Sequence, residues 1–429
     1  MTLSPVAPSE RLRGVDIARG IALLGILFVN ARFFFGPFGF VMEPSAAIDG
    51  SAREAADTAA WFFVETFCTY KFISLFSMLF GFGLAMQAAR ARAAGESPWP
   101  LGLRRLALLA AIGVAHWSLV WYGDILLIYA LLGVFVLLAT DCSLRTLRWV
   151  VAGVACVSAF LALVGGSLIG VGMALEAAQP APAEIAASDL TARGITAIME
   201  ATGDPYSPVW IEAERAAFRE GPFLDALVFR TVIYGYGFIA ALFSYGWHAL
   251  FMMLCGVYAF KAGLFSAEGS ALRRRIVLPA LAIGLALTLL GTLPNLLFGF
   301  EHVAARVAQT TLVALGAMAL PFAYAAIIVE WGPRLPAFLA TPLERTGRMS
   351  FTVYLSESLV CTALASWWGL AWFGTIDDAQ AVLIAFSVWL ALVLFATAWL
   401  SVFRIGPFEW LWRTATYLGN TRPSPPNPA

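Results

Sequence analysis

The sequence predicts an all-α membrane protein, a polytopic transmembrane helical bundle of about ten spans with both termini in the cytoplasm. Two observations on its 429 residues predict this class. Hydrophobic residues make up 60% of the chain and charged residues only 13%, which is far more apolar than a soluble domain. Apolar runs of about 20 residues, the length that crosses a bilayer, recur between charged or Gly/Pro-rich breaks. We therefore expect a single membrane domain, residues 1–429.

Ten apolar runs are predicted to span the membrane. The first is too long for a signal peptide and has no small-residue cleavage site after it, so it should stay attached. Trp61–Tyr70 and Phe223–Phe243 are too polar or awkwardly placed for clean spans, and are predicted to be interfacial or re-entrant helices. The predicted spans are Val15–Phe35, Phe72–Ala89, Leu103–Tyr122, Ile125–Thr140, Leu147–Leu175, Tyr245–Ala262, Ile276–Phe298, Val307–Val329, Ser350–Trp368 and Val382–Phe403.

The charges divide sharply between the two sides of the predicted bundle. The side that carries both termini holds 19 of the 27 basic and 8 of the 27 acidic residues, whereas the opposite side holds 8 basic and 18 acidic residues. Because positive loops stay in the cytoplasm, this predicts that both termini are cytoplasmic. The largest loop, residues 176–222, is then extracytoplasmic and acidic, and is either a solvated connector or a cap that binds an acceptor.

Several classes of function lack their sequence signals. The five cysteines stand singly in apolar runs, without the close spacing of a zinc site or redox pair, and are predicted to be small core residues. No nucleophile elbow or phosphate-cradling glycine loop occurs, and no basic stripe suggests nucleic acid. We expect no metal and no permanently bound cofactor. The expected partners are the lipid bilayer and a small-molecule substrate, and a homo-oligomer stays open.

The first span carries a polar stripe. Asp16 and Arg19 are three residues apart, and Asn30 follows Arg19 by eleven residues, which is close to three helical turns. All three side chains should therefore share one face. They either form part of a substrate path or are structural, with Asp16 and Arg19 anchoring the helix end and Asn30 joining neighbouring helices.

The third span repeats this spacing, because Arg105 and His116 are also eleven residues apart. A tight hairpin after His116 should bring Asp124 to the outer mouth and return Tyr129 to about the level of the histidine. A histidine oriented by a nearby carboxylate suits general-base chemistry. The alternative is a structural histidine whose hydrogen bonds are satisfied.

Four further polar residues lie within or beside predicted spans. Lys71 opens the second span, where it either snorkels to the outer interface or joins the depth of Asn30 and His116. Glu357 is the only carboxylate near the midplane, so it needs a partner, for which Arg348 is one candidate. His248 lies in the outer half of the sixth span. Charged or titratable groups inside a membrane are candidates for function.

A weak internal repeat is also visible. The segment "LFSMLFGF" (Leu75–Phe82) matches "LFMMLCGV" (Leu250–Val257), and each is followed by a basic loop and a similar next span. Both copies run in the same direction, which predicts a parallel duplication of spans two to five in spans six to nine. Transporters often contain such repeats, but apolar segments also resemble one another by chance.

Several longer motifs resemble a known family. The stretches "RGVDIARGIALLGILFVN", "KFISLFSMLFGFGLAMQ" and "GVAHWSLVWYGDILLIYALLG" are similar to the uncharacterised YeiB-like bacterial membrane protein family. The same holds for "PLERTGRMSFTVYLSESLVCT" and "FRIGPFEWLWRTATY", which fall in a signature region at 342–429. The first span also resembles, distantly, membrane acyltransferases of the heparan-glucosaminide N-acetyltransferase type. That resemblance implies a cytoplasmic acyl-CoA donor and a carbohydrate acceptor on the other side.

The leading hypothesis is therefore an acyltransferase. Asn30 stands where the compared acyltransferases carry histidine, so His116 takes the place of the general base or acyl carrier. Asp124 or Tyr129 would orient His116, and Asn30 or Lys71 would stabilise the oxyanion. Arg19 and Arg105 would hold the donor phosphates. A transporter of a small metabolite, with Glu357, His116 and Lys71 as proton-relay or substrate groups, is the alternative, and a non-catalytic scaffold or sensor is a third.

Overall fold

The computed structural model describes residues 12–42, 54–177, 207–243 and 245–417. These parts of the chain are helical and contain no strand, so the predicted all-α class is confirmed. The helices are α1 (Arg13–Phe35), α2 (Phe38–Met42), α3 (Ala55–Phe63), α4 (Lys71–Ala93), α5 (Pro98–Leu119), α6 (Leu126–Ala139), α7 (Leu144–Ala177), α8 (Pro208–Arg219), α9 (Phe223–Phe243), α10 (Tyr245–Lys261), α11 (Ser270–Phe298), α12 (Val303–Gly316), α13 (Leu320–Trp331), α14 (Ala337–Arg348), α15 (Ser350–Ala365), α16 (Asp378–Val402) and α17 (Pro407–Tyr417).

Six helical stretches of the described chain are long and apolar enough to cross a membrane. They are α1, the run of α3 into α4, α7, α9, α11 and α16. The number becomes seven if α12 and α13, which are bent by 41° at the break between them, form one span. Every predicted span has a helix in its place, although α6 and α15 have only 14 and 16 residues. A count of ten stays a prediction.

Two segments differ from the expectation for them. Phe223–Phe243 was predicted to be too polar or awkwardly placed for a clean span. The prediction of excess polarity is wrong, because the helix it forms is long and apolar enough to cross a membrane. It carries only two charged residues, and one of them, Arg230, is buried. Trp61–Tyr70 continues through a π-helical turn into α4. Of the predicted acidic loop, residues 178–206 lie outside the described residues, and α8 follows them.

Helix α1 lies at the centre of the bundle. It packs against α4, α13, α14, α15 and α16. Ile17, Ala18 and Ala22 are fully buried, and the indole Nε1 of Trp389 on α16 donates to the Gly20 carbonyl at 3.2 Å. The polar stripe of α1 is therefore enclosed by protein, which is where polar groups within a membrane are tolerated.

The two copies of the internal repeat pack against each other as α4 and α10. Gly81 of the first copy lies against the carbonyl of Met253, and Gly256 of the second lies against the carbonyl of Met78. In the alignment of the copies, Gly81 matches Gly256 and Met78 matches Met253. The contact is therefore reciprocal, as it would be between repeats related by a two-fold axis. Both glycines allow a backbone approach that a side chain would prevent.

Large apolar side chains cover the outside of several helices. Trp149, Phe160 and Leu168 on α7 are exposed, as are Leu278 and Leu297 on α11. Monomeric soluble proteins rarely expose apolar surface on this scale. These faces fit contact with the lipid bilayer, so the chain is a membrane protein.

Candidate functional site

A cavity of about 740 Å³ follows α1 from Leu12 to Phe33. These 21 helical steps correspond to roughly 32 Å, which is close to the thickness of the hydrocarbon core of a bilayer. The rest of the wall comes from α2, α4, α5, α6, α9, α10, α14, α15 and α17 and from the loop between α5 and α6. The cavity thus joins two polar regions that lie at opposite ends of α1.

Arginines line the end of the cavity that contains the start of α1, which we call the arginine end. Asp16 lies there too, and it accepts a hydrogen bond of 2.9 Å from Arg19. Burial is the main reason why the pKa of Arg413, on α17, lies below its usual range. Positive charge clearly exceeds negative charge here, which favours an anionic ligand. The lining arginines are Arg19, Arg90, Arg105, Arg348 and Arg413.

Helix α17 covers the arginine end. The guanidinium carbon of Arg105 lies 4.3 Å from the centroid of the Trp412 ring, a cation–π contact between α5 and α17. The Glu409 carboxylate accepts from the backbone N–H groups of Phe351 and Thr352 at 2.8 and 3.0 Å. It therefore caps the start of α15, where such groups lack partners within the helix. Burial raises the pKa of the Glu409 carboxyl.

A histidine–aspartate pair lies at the other end of the cavity, which we call the histidine end. Nδ1 of His116 lies 2.9 Å from Oδ2 of Asp124, and both side chains are almost fully buried. The second oxygen of Asp124 accepts from the backbone N–H of Leu127 at 3.1 Å, at the start of α6. A carboxylate facing Nδ1 assigns the ring proton to that nitrogen and leaves a lone pair on Nε2. Nε2 has no hydrogen-bond partner among the described residues.

Three tyrosines, Tyr122, Tyr129 and Tyr354, also line the cavity. The ring centroid of Tyr354 lies 5.5 Å from that of His116, and Tyr354 also lines the cavity. The hydroxyl of Tyr129 lies 2.5 Å from Oγ of Ser77, and that of Tyr122 donates to a backbone carbonyl at 2.9 Å. Within the described ranges no group of three or more His, Cys, Asp or Glu side chains could hold a metal ion.

Comparisons with known proteins identify the family. The chain is 30% identical over 434 residues to the uncharacterized protein YxaH of Bacillus subtilis, with 97% of each chain covered. It is 31% identical over 413 residues to the uncharacterized protein YeiB of Escherichia coli, with 95% of this chain and 96% of that protein covered. The chain belongs to the YeiB-like family.

Two shorter matches agree with this membership. Residues 259–419 match the family described as "Protein of unknown function (DUF418)". Over 135 residues the YeiB-like chain is also 35% identical to an "uncharacterized 39.9 kDa protein in amylase 3'region" of Bacillus acidopullulyticus, covering 32% of this chain and 36% of that one. The names of these relatives describe no activity.

The cavity of the YeiB-like chain collects most of the predicted site residues. Those that line it are Asp16, Arg19, Asn30, Arg105, Asp124, Tyr129 and Arg348. His116 does not line the cavity itself, but it contacts Asp124 and Tyr354, which do. Tyr129 hydrogen-bonds toward α4, so of the two residues predicted to orient His116, Asp124 is the one that contacts it.

Lys71 and His248 lie away from the cavity wall. Lys71 is fully buried, and its ammonium donates to the Glu65 carbonyl at 2.6 Å. The snorkelling interpretation is therefore wrong, since the ammonium does not reach solvent, and its proposed contact with an oxyanion has no support in the geometry. Nε2 of His248 lies 2.6 Å from Oγ of Ser74. His248 thus joins α10 to α4, whereas Lys71 contacts the π-helical turn that precedes α4.

Glu357 is also buried away from the cavity. Its Oε1 atom has no hydrogen-bond partner among the residues that the structure describes. The suggested pairing with Arg348 is not present, because the Arg348 guanidinium is directed to the Arg404 carbonyl at 3.4 Å and lines the cavity. Glu357 follows Arg348 by nine positions along the chain, and α15 carries the carboxylate away from the arginine end.

Some residues that line the cavity were not predicted from the sequence. Trp412 and Arg413 lie on α17, whose mixed polar and aromatic sequence predicts no span. Tyr354 and Tyr245 stand inside apolar runs, where a tyrosine usually belongs to the core. The spacing of Glu409 and Arg413, four residues apart beside Trp412, could have identified an amphipathic helix with one charged face.

Proposed function

We propose that this chain is a membrane acyltransferase that moves an acyl group from a cytoplasmic acyl-CoA to an extracytoplasmic carbohydrate acceptor. The observation that carries the proposal is the single cavity that joins the arginine end, with Arg19 and Arg105, to the histidine end, where Asp124 holds His116. A long donor with a phosphate-rich head and a reactive tail fits a cavity of this length and polarity.

The arginine end would bind the donor phosphates. The positive-inside distribution of charge predicts that this end faces the cytoplasm, where acyl-CoA is available. The planar guanidinium group of arginine can donate two parallel hydrogen bonds to phosphate oxygens. The Trp412 ring, already stacked on Arg105, offers a further flat surface at the same end.

His116 would carry the acyl group. With its Nδ1 proton directed to Asp124, Nε2 attacks the thioester carbonyl, the carbon–sulfur bond breaks, and the thiolate leaves and takes up a proton from water. An acceptor hydroxyl then attacks the acyl-imidazole, transfers its proton to water, and restores the imidazole. Asn30, which lines the cavity, would stabilise the oxyanion. Because Tyr354 contacts the imidazole, its ring has to swing aside to admit the thioester.

A transporter of a small metabolite is the alternative. The reciprocal packing of α4 and α10 favours it, because parallel repeats related by an axis along the membrane normal are a transporter architecture. Glu357 and His116 would then serve as proton-relay groups, each with a buried atom that lacks a hydrogen-bond partner within the described part of the chain.

One experiment separates these functions. Purified protein in detergent is incubated with radiolabelled acetyl-CoA, and binding, hydrolysis and transfer to added sugars are measured for the wild type and His116→Ala. We expect His116→Ala to lose transfer and keep binding. The exposed histidine variant His302→Ala is the matched control. If acyl-CoA neither binds nor is hydrolysed, and vesicles show proton-coupled flux that Glu357→Gln abolishes, the acyltransferase proposal is wrong.

A further inference from the structure

We infer that Arg230 binds an oxyanion, a phosphate or a carboxylate, that belongs to the acceptor at the histidine end of the cavity. Arg230 is 3% exposed, and its Nη1 atom donates to the Val120 carbonyl at 3.2 Å. Its Nε and Nη2 atoms are buried without a hydrogen-bond partner among the described residues. The inference rests on the proposed acyl transfer, for which it names the chemistry of the acceptor.

A buried guanidinium needs compensation. Arginine stays charged, and a charge taken out of water is costly unless it is paired and hydrogen-bonded. Within the described ranges no carboxylate forms an ion pair with Arg230. The ring of Phe223, 5.1 Å from the guanidinium carbon, covers only one face of the group. Two free donors beside each other match the two oxygens of a carboxylate or phosphate.

Arg230 is close to the acyl-transfer residues. Val120 directly follows the last turn of α5, and its backbone N–H donates to the His116 carbonyl at 2.9 Å. Tyr234, one helical turn after Arg230, lines the cavity and stacks on Trp117 with ring centroids 4.7 Å apart. The guanidinium therefore lies beside the wall of the histidine end.

Other buried donors without partners lie around the same point. The indole Nε1 atoms of Trp117 and Trp121 and the hydroxyl of Tyr234 have no hydrogen-bond partner in the described chain. Indole N–H groups can only donate. Three donor side chains with free N–H groups select a ligand rich in acceptor oxygens, and aromatic faces suit a sugar ring. The acceptor class is thus a carbohydrate that carries an acidic group, or a sugar held beside an anionic lipid headgroup.

The test measures binding to the protein in phosphatidylcholine nanodiscs. Glucose 1-phosphate and glucuronate are the anionic probes, and methyl glucoside is the neutral one. We expect the wild type to bind the anionic probes more tightly than the neutral one. Arg230→Gln should lower the affinity for the anionic probes about ten- to a hundredfold and leave the affinity for methyl glucoside unchanged. The exposed arginine variant Arg274→Gln is the matched control. In phosphatidylglycerol nanodiscs, Arg230-dependent displacement of the anionic probes would identify the headgroup as the source of the oxyanion.

A second variant protects the test against misfolding. Trp117→Phe keeps an aromatic ring that can stack on Tyr234 but removes the indole N–H. We therefore expect it to lower the affinity for the anionic probes several-fold. Equal binding of charged and neutral probes to the wild type, or unchanged anionic binding in both variants, would overturn the inference. Acyl transfer to an anionic acceptor that is undiminished in Arg230→Gln would show that the oxyanion site alone is wrong. Arg230-dependent binding without any acyl transfer would contradict the acyltransferase proposal and support the oxyanion site.

Discussion

Replacing Asp124 by asparagine tests the histidine end most directly, because the substitution keeps the shape of the side chain. Asp124 now faces Nδ1 of His116 at 2.9 Å and accepts from the backbone N–H of Leu127 at 3.1 Å. In Asp124→Asn the amide oxygen can keep the contact with α6, which turns the NH₂ group toward Nδ1. The imidazole must then carry its proton on Nε2, so the atom that would attack the thioester loses its lone pair.

The expected effect on catalysis is large and the effect on stability is small. A misplaced tautomer should reduce acyl transfer about 10²- to 10⁴-fold. Exchanging one charge-assisted hydrogen bond for a neutral one should cost about 1 kcal/mol of unfolding free energy. Asp124→Ala also removes the contact at the start of α6, worth about 1 kcal/mol, and leaves a buried donor unsatisfied, worth about 1–3 kcal/mol. The alanine variant should therefore lose roughly 2–4 kcal/mol.

The assay compares transfer rate, acyl-CoA affinity and thermal unfolding in one detergent. Both variants should lose transfer and keep acyl-CoA affinity, while only Asp124→Ala should unfold at a clearly lower temperature. Asp141→Asn, which changes an exposed carboxylate paired with Arg92, should match the wild type in all three measurements. If Asp124→Asn retains more than about a tenth of the transfer rate while Asp124→Ala loses it, Asp124 only holds the helix start and the reasoning fails.

Three further predictions concern packing and charge. Gly81→Ala should destabilise by about 1–3 kcal/mol, because its methyl group meets the Met253 carbonyl, whereas Gly83→Ala, with 3.8 Å of clearance, should stabilise by up to about 1 kcal/mol. A lower melting temperature for Gly81→Ala together with a higher one for Gly83→Ala would confirm the close contact between Gly81 and Met253. Glu409→Ala should lower the free energy of unfolding by about 1–3 kcal/mol, because it uncaps α15. Chemical denaturation should place Glu409→Gln between this variant and the wild type. Burial raises the pKa of Glu214 on α8 to about 8. The stability that this group contributes is complete below its usual pKa and is lost as the pH rises through about 8, so the melting temperature of the wild type should fall more between pH 5 and pH 9 than that of Glu214→Gln.

Much of α1 and of the cavity could be predicted because helical geometry is local. The spacings of three and eleven residues fix which side chains share a face, and Asp16, Arg19 and Asn30 do line one cavity. The hairpin after α5 was readable for the same reason, since a tight turn leaves Asp124 few positions other than beside His116.

Depth along a helix does not determine which neighbour a side chain faces. Lys71 and Glu357 were placed at suitable depths from their positions within apolar runs, but both point into packed interior away from the cavity. That direction depends on the packing of α4 and α15 against other helices, which no single-helix pattern contains. Helix α17 was missed for another reason: it covers the arginine end from the side, and hydropathy detects only segments that cross.

The middle of the cavity bears on the choice between acyl transfer and transport. Leu23 and Ile26 of α1 and Leu106 and Leu109 of α5 line it between the two polar ends. A hydrophilic solute or a proton would have to pass these apolar side chains, and Glu357 does not line the cavity. An extended acyl chain would gain free energy from the same surface, at about 25 cal/mol per Å² buried. A polar substitution in this stretch distinguishes the two functions. In an acyltransferase, Leu109→Asn should lower the affinity for a long-chain acyl-CoA more than the affinity for acetyl-CoA. In a transporter, the same substitution should leave the flux unchanged or raise it.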